Sequence, residues 1–262
     1  MPATDLVTDL VTDLGAPAPK RLEWRVAEVR EIIDETPRVK SLVLNVPDWP
    51  GHRPGQHVDV RLTAEDGYQA QRSYSIASAP QADHLMLTVE RIDDGEVSPY
   101  LVSDVRPGDK FELRGPVGGY FVWTVATGGP LLLISGGSGI APLMAMLRHR
   151  AAAGSTIPAV LLASWRTFED TIYRHELDRL AARGDGLQVM HTLTRRQPLG
   201  WTGGARRIDR DMIASLDFPA KASARSFVCG PTQLVESVAK ILLELGHERS
   251  LIKTERFGPT GG

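Results

Sequence analysis

Leu131-Leu132-Leu133-Ile134-Ser135-Gly136-Gly137-Ser138-Gly139-Ile140-Ala141-Pro142 is the stretch that decides the fold of this chain. Residues 131–135 form a continuous apolar run, as expected for a strand buried on both faces. A glycine turn follows, then an apolar helical stretch ending near Gly154. Glycines let backbone approach a phosphate closely, and the start of the next helix offers free N–H groups and a positive dipole end. The strand before and the helix after make a phosphate site the expectation, although glycines also build tight strand–helix turns without any ligand. No Gly-Lys-Ser/Thr follows, so this is not a Walker A loop.

Downstream, apolar strand-like runs at 159–164, 187–194, 227–229 and 251–254 alternate with helical stretches at 169–183, 209–216 and 233–246. Such alternation predicts a doubly wound parallel α/β sheet of five strands, with ligands at the carboxyl ends of the strands. Upstream, from Trp24 to about Trp123, the pattern is different. Runs at 38–46, 56–62, 70–77, 85–92 and 110–113 are separated by Gly, Pro and Asp turn signals, which suggests an antiparallel barrel or sandwich. One helical segment, 99–105, interrupts them, with Ser98 as its N-cap and Pro99 at the first helical position. The change of period across Thr127-Gly128-Gly129-Pro130 sets a domain boundary near 124–130.

The 262 residues carry 30 Lys+Arg against 32 Asp+Glu, a net charge of −2, and are 42% hydrophobic. That balance lacks the basic excess of a nucleic-acid binder, and no run approaches the roughly 20 apolar residues needed to span a bilayer. One cysteine, Cys229, excludes an internal disulfide and any four-thiolate cluster. No metal site is expected, since His175, His191 and His247 show no ligand spacing. The setting expected is cytoplasmic, because the N-terminus does not read as a signal peptide. Residues 1–20, with their Thr-Asp-Leu repeat and Ala-Pro linker, are expected to be a flexible tail of no assigned function.

Arg72-Ser73-Tyr74-Ser75 closes one of the upstream strands and combines a cation, an aromatic ring and hydroxyls, a set suited to a flat phosphorylated ligand. In family order the chain then carries Gly95-x-x-Ser98, Gly115-Pro116-x-Gly118, the glycine turn, Cys229-Gly230-Pro231 and a closing Glu255-Arg256-Phe257. This ordered set resembles the ferredoxin–NADP reductase superfamily over about residues 22–257. The resemblance implies an antiparallel six-stranded Greek-key β-barrel that binds flavin (residues 21–127), followed by the five-stranded α/β domain that binds a nicotinamide nucleotide (128–262).

Carried over by position, the resemblance gives Arg72 to the flavin phosphates, with Ser73 beside it, Tyr74 to the isoalloxazine face, and Ser75 to flavin N5, the hydride acceptor. Val89, Glu90 and Arg91 run beside the flavin, and Gly95, Val97 and Ser98 open a helix facing the pyrophosphate. Gly136, Gly137, Ser138, Gly139 and Pro142 approach the nucleotide. Cys229, with Gly230 and Pro231, lines the nicotinamide pocket as a positioning group near C4. Glu255 assists proton handling, and Phe257 covers the flavin face where nicotinamide docks. Arg166, Thr194, Arg195 and Arg207 match positions where NADP users carry basic or polar groups, and Tyr173 is expected to stack on adenine.

These assignments imply FAD rather than FMN, and NADPH in preference to NADH, because arginine forks suit a 2′-phosphate. Hydride is expected to pass from NAD(P)H to flavin, and electrons to leave singly to a separate one-electron acceptor protein: a ferredoxin, a flavodoxin, or an oxygenase or metalloenzyme component. The alternatives are an electron-transfer subunit that does not itself oxidise NAD(P)H, and a direct ferric or quinone reductase.

Overall fold

A computed structural model of the protein describes residues 22–217 and 223–257; the repeat and linker of residues 1–20 lie outside that range. The first sheet holds β1 (Trp24–Thr36), β2 (Val39–Asn45), β3 (His57–Thr63), β4 (Gln69–Ser75), β5 (Leu85–Glu90) and β6 (Lys110–Val117). Their order is β4-β3-β6-β1-β2-β5, every pair antiparallel. A bridge between Ile76 and Leu87 joins the two edges, so the sheet closes into a six-stranded barrel. Alternation sorts each strand into an inner and an outer face. On β5, Leu85, Leu87 and Val89 enter the barrel core, leaving Met86, Thr88 and Glu90 on the outer face.

The longest strand, β1, is the one whose limits the sequence did not mark. Bulges between Val29 and Glu31 and between Asp34 and Thr36 break its alternation. Helix α1 (Ser98–Ser103) seals one barrel end with Leu101 and Val102. The expected capping is corrected here. Val97 is the N-cap, while the Ser98 hydroxyl instead accepts the Ile92 N–H at 3.0 Å and so ties the preceding turn.

The second sheet runs β7 (Leu131–Gly136), β8 (Ala159–Trp165), β9 (Leu187–Leu193), β10 (Arg225–Pro231) and β11 (Ile252–Phe257), all parallel, in the order β11-β10-β7-β8-β9. Leu131 and Leu133 pack on one face of β7, Leu132 and Ile134 on the other, which is why the run reads as unbroken apolar. Helices α2 (Ile140–Ala152) and α3 (Arg174–Ala181) cover the first face, and α4 (Arg210–Ala214) and α5 (Thr232–Glu244) the second. The expected single helix over 169–183 is broken. A 3₁₀ turn at Phe168–Asp170 precedes Tyr173, whose backbone takes the left-handed conformation (φ 57°) before α3 begins.

The two sheets share a core. Val39, Ala77, Phe121 and Trp123 from the barrel side pack in one cluster with Leu133, Leu143, Met144 and Phe227 of the parallel sheet and its helices. Burying each of the larger aliphatic and Phe side chains here contributes about 1.5–3 kcal/mol. Chain order reverses between β7 and β10, and in open α/β sheets that reversal is where ligands bind, at the carboxyl ends of the strands.

Candidate functional site

At the barrel edge, β4 presents the Arg72–Ser75 group. Arg72 is exposed, and its guanidinium donates to Glu96 at 2.7 Å. Ser73 is committed elsewhere, donating to Asp59 at 2.6 Å, where Arg114 also donates at 2.9 Å. Burial pushes the Asp59 carboxyl up, but these two donors outweigh it and hold it below its usual range. Tyr74 packs half-buried on the barrel core, and burial holds its phenol well above its ordinary value, so the ring stays neutral. Ser75 is buried at 6% exposure, and its hydroxyl has no partner among the described residues. A guanidinium, a neutral ring and an uncommitted hydroxyl along one strand end fit a flat, phosphorylated flavin.

The bridge at Ile76 brings this strand end alongside β5. The Val89 side chain lies inside the barrel, leaving only its backbone to a ligand, and Val97 is likewise fully buried. Arg91 pairs with Asp93 and donates to Ser103. Glu90 accepts the Ser138 hydroxyl at 2.7 Å, linking the barrel to the glycine turn. Gly95 sits close against the preceding turn, where a Cβ would lie 3.0 Å from the Ile92 carbonyl oxygen.

One glycine of the turn is set by packing against the next strand end. A Cβ on Gly139 would fall 2.3 Å from the Cys229 carbonyl oxygen, while one on Gly136 would come nearest the flexible tip of Leu234, at 2.8 Å. Gly137, at φ 54°, meets nothing nearer than Glu90 Oε2 at 3.8 Å and keeps an open side. The turn and the Cys229-Gly230 end of β10 are therefore pressed together at the point where chain order reverses.

Across that point the register aligns Ala163, Ser135, Cys229 and Glu255 in one row over four strands. Ser135, which sequence reasoning passed over as part of an apolar run, has a buried hydroxyl without a hydrogen-bond partner. Cys229 is fully buried. Burial, then the neighbouring Glu255 charge, pushes its thiol well above the ordinary range, against a smaller opposing pull from the Gly230 N–H. It is a neutral thiol with no nucleophilic character. Burial pushes Glu255 up to about 7, which leaves its carboxyl near half-protonated at neutral pH. Phe257 stands half-buried opposite Pro231 and packs on the shared core.

At the far end of the sheet, the Arg195 N–H donates to the Arg166 carbonyl at 2.9 Å, and Thr194 Oγ1 to the Trp165 carbonyl at 3.0 Å. The carbonyl of Arg206 accepts Thr192 Oγ1 at 2.5 Å, which brings Arg207 to the same edge. All three arginines are exposed, and none of their guanidinium groups has a protein partner among the described residues. Tyr173 requires a correction. At 4% exposure, with Arg148 4.8 Å over its ring and its hydroxyl bonded to Thr88, it has no face to offer an adenine.

A closed antiparallel barrel with a flavin-suited strand end, packed on a parallel sheet at its switch point, is the two-domain arrangement of the flavin- and nicotinamide-nucleotide-binding oxidoreductase families. Residues 26–122 match the oxidoreductase FAD-binding domain family, and residues 133–240 the oxidoreductase NAD-binding domain family. The chain belongs to the ferredoxin–NADP reductase superfamily. It is 32% identical over 205 residues to NADH-cytochrome b5 reductase 1 of Aspergillus terreus, covering 75% of this chain and 68% of that protein. It is 33% identical over 211 residues to the glycine betaine monooxygenase reductase subunit of Pseudomonas aeruginosa, covering 79% of this chain but only 57% of that longer protein. Among solved structures, the FAD/NAD binding domain of nitric oxide dioxygenase from Vibrio cholerae superposes with a TM-score of 0.78 at 28% identity, covering 90% of this chain and 99% of that one. No helix among the described residues is long and apolar enough to cross a membrane.

Proposed function

We propose that this protein is an electron-transfer reductase that oxidises NADPH in preference to NADH and delivers single electrons to a separate acceptor protein. In this reading residues 21–127 hold FAD and residues 128–262 hold the nicotinamide nucleotide. The observation that carries it is the continuity of contacts across the junction. The end of β4 lies beside β5, Glu90 of β5 holds Ser138, and Gly139 abuts Cys229 in the row that ends at Glu255.

Bound FAD supplies the two-electron acceptor and the release of electrons one at a time. The chain's own residues bind, orient and shield. Arg72 and the turn from Gly95 to Ser98 hold the phosphates, and the Ser75 hydroxyl, without a partner among the described residues, hydrogen-bonds the reactive edge of the ring. Cys229, as a neutral thiol, shapes the nicotinamide site without attacking it. Glu255, near half-protonated at neutral pH, can take up or release a proton at its carboxyl, and Phe257 keeps water from the junction. Arg166, Arg195 and Arg207, free of side-chain partners among the described residues, favour a 2′-phosphate and hence NADPH. An oxygenase component is the acceptor favoured by the likeness to a monooxygenase reductase subunit; a ferredoxin or flavodoxin fits the same chemistry.

Anaerobic titration of the flavin-loaded protein with NADPH and with NADH tests this. The flavin absorbance should bleach with both and at lower concentration with NADPH. Bleaching by neither would overturn the reading and favour a subunit that does not oxidise nicotinamide nucleotides; a preference for NADH would overturn the nucleotide choice alone.

A further inference from the structure

Tyr173, displaced from the role the sequence suggested for it, sits instead in a closed hydrogen-bonded ring that joins barrel to nucleotide sheet. Its backbone N–H donates to Glu35 Oε2 at 3.1 Å, and its hydroxyl bonds Thr88 Oγ1. Thr88 Oγ1 meets Ser41 Oγ at 2.8 Å, and Ser41 Oγ donates to Glu35 Oε1 at 2.7 Å. Because the Ser41 hydroxyl gives its proton to Glu35, the remaining donor directions in the ring follow. Ser41 donates to Glu35, Thr88 to Ser41, and Tyr173 to Thr88. Both polar groups of Tyr173 thus end on one barrel carboxylate.

Three local features set up the ring. Glu35 falls in the bulge between Asp34 and Thr36, where a strand re-aims a side chain. Ser41 and Thr88 are register partners on β2 and β5. Tyr173 is one of only two non-glycine residues with positive φ among those described, a conformation kept when surrounding contacts demand it. Arg148 then locks the ring from the far side. It lies over Tyr173, donates to the Ala77 carbonyl of the barrel at 2.7 Å, and grips Glu176 of α3 at 2.7 and 2.9 Å.

The ring lies next to the reaction site. Thr88 and Glu90 are two residues apart on the outer face of β5, about 7 Å along the strand, and Glu90 holds the glycine turn through Ser138. We propose that Tyr173 is a positioning residue: through Thr88 it sets the barrel against the nucleotide sheet, and so aligns nicotinamide with flavin for hydride transfer. The inference rests on the reductase reading above.

The test uses the flavin-loaded full chain with Tyr173→Phe, Thr88→Val, Thr88→Ser and the double variant Tyr173→Phe/Thr88→Val. Flavin reduction is followed by stopped flow across nucleotide concentration, beside flavin occupancy and thermal midpoint. Because small misalignments cost rate far more than binding, Tyr173→Phe and Thr88→Val should each lower the limiting rate about tenfold or more, with the half-saturating nucleotide concentration moving less than about threefold. The double variant should be no slower than the slower single one, since both lose the same hydrogen bond, and Thr88→Ser should restore most of the rate lost in Thr88→Val. Should Tyr173→Phe fail to fold, the two Thr88 variants carry the comparison. A limiting rate within about twofold of the parent in Thr88→Val and in a folded Tyr173→Phe, or losses that multiply in the double variant, would overturn the proposal. A parent protein that neither nucleotide reduces would overturn the reductase reading first, and this inference with it.

Discussion

Glu255→Gln should abolish a pH dependence of stability that the wild-type protein owes to one buried carboxyl. Burial raises Glu255 from its ordinary 4.5 to about 7. At about 1.4 kcal/mol per pKa step, that raise makes ionised Glu255 cost the native state about 3 kcal/mol. The direction follows from proton binding. Between roughly pH 4.5 and 7 the native state keeps a proton that the unfolded chain has lost, so this group's stabilising contribution is present in acid and disappears as pH rises through 7. Glutamine has nearly the same shape and no titration. The difference in stability between Glu255→Gln and wild type should therefore be small at pH 5 and grow to about 3 kcal/mol in favour of the variant by pH 8.5, all other carboxylates cancelling in the comparison. Urea unfolding of both proteins at five pH values in that interval, with flavin in equal excess, measures it. A difference that stays constant with pH would refute the burial argument, and one that grows toward acid would mean that Glu255 is held as a carboxylate by a partner.

Two further outcomes follow from charge placement. Replacing Arg166 and Arg195 by Ala should weaken NADPH about tenfold or more per arginine, from the 1.5–3 kcal/mol of a charged hydrogen bond, while NADH changes by no more than about twofold; isothermal titration of each nucleotide decides it, and equal losses would remove both arginines from the 2′-phosphate. Arg150 is 1% exposed and donates to Asp185 Oδ1 at 2.7 Å and to the Ile157 carbonyl at 2.8 Å. Asp185→Ala strands that buried cation and should cost about 3–5 kcal/mol in chemical denaturation, with Arg150→Met in the same background recovering part of it; a loss below about 1 kcal/mol would mean that water reaches the guanidinium.

What was legible in the sequence was whatever depended on neighbours along the chain. Leu131 to Ile134 could be read as a strand covered on both faces because each residue's environment is set by its own strand and the helices flanking it, and the alternation of Leu85, Leu87 and Val89 with Met86, Thr88 and Glu90 is visible in the letters alone. What could not be read was the partner across space. Thr88 finds Tyr173 85 positions away, and Glu90 finds Ser138 48 positions away. The glycine turn is the instructive middle case. Its glycines suggest a ligand, yet Gly139 is also demanded by packing, since a Cβ there would run into the Cys229 carbonyl, whereas Gly137 is set by its positive φ and keeps an open side. Tyr173 failed for a related reason. An aromatic beside Arg174 and Glu176 looks like a surface stacking group until a left-handed turn, which no periodicity marks, swings it under Arg148 and onto the barrel. Glu35 was hidden the same way, behind a bulge that changes register without leaving a compositional trace. The features that pattern reading missed are thus concentrated where the two sheets meet, and that is also where a reductase must hold two cofactors in one geometry. Within each domain the pattern along the chain goes far toward the fold, whereas the alignment between domains rests on a shared apolar core together with a few long-range polar contacts, and the residues of those polar contacts are the ones whose substitution should change rate before it changes stability.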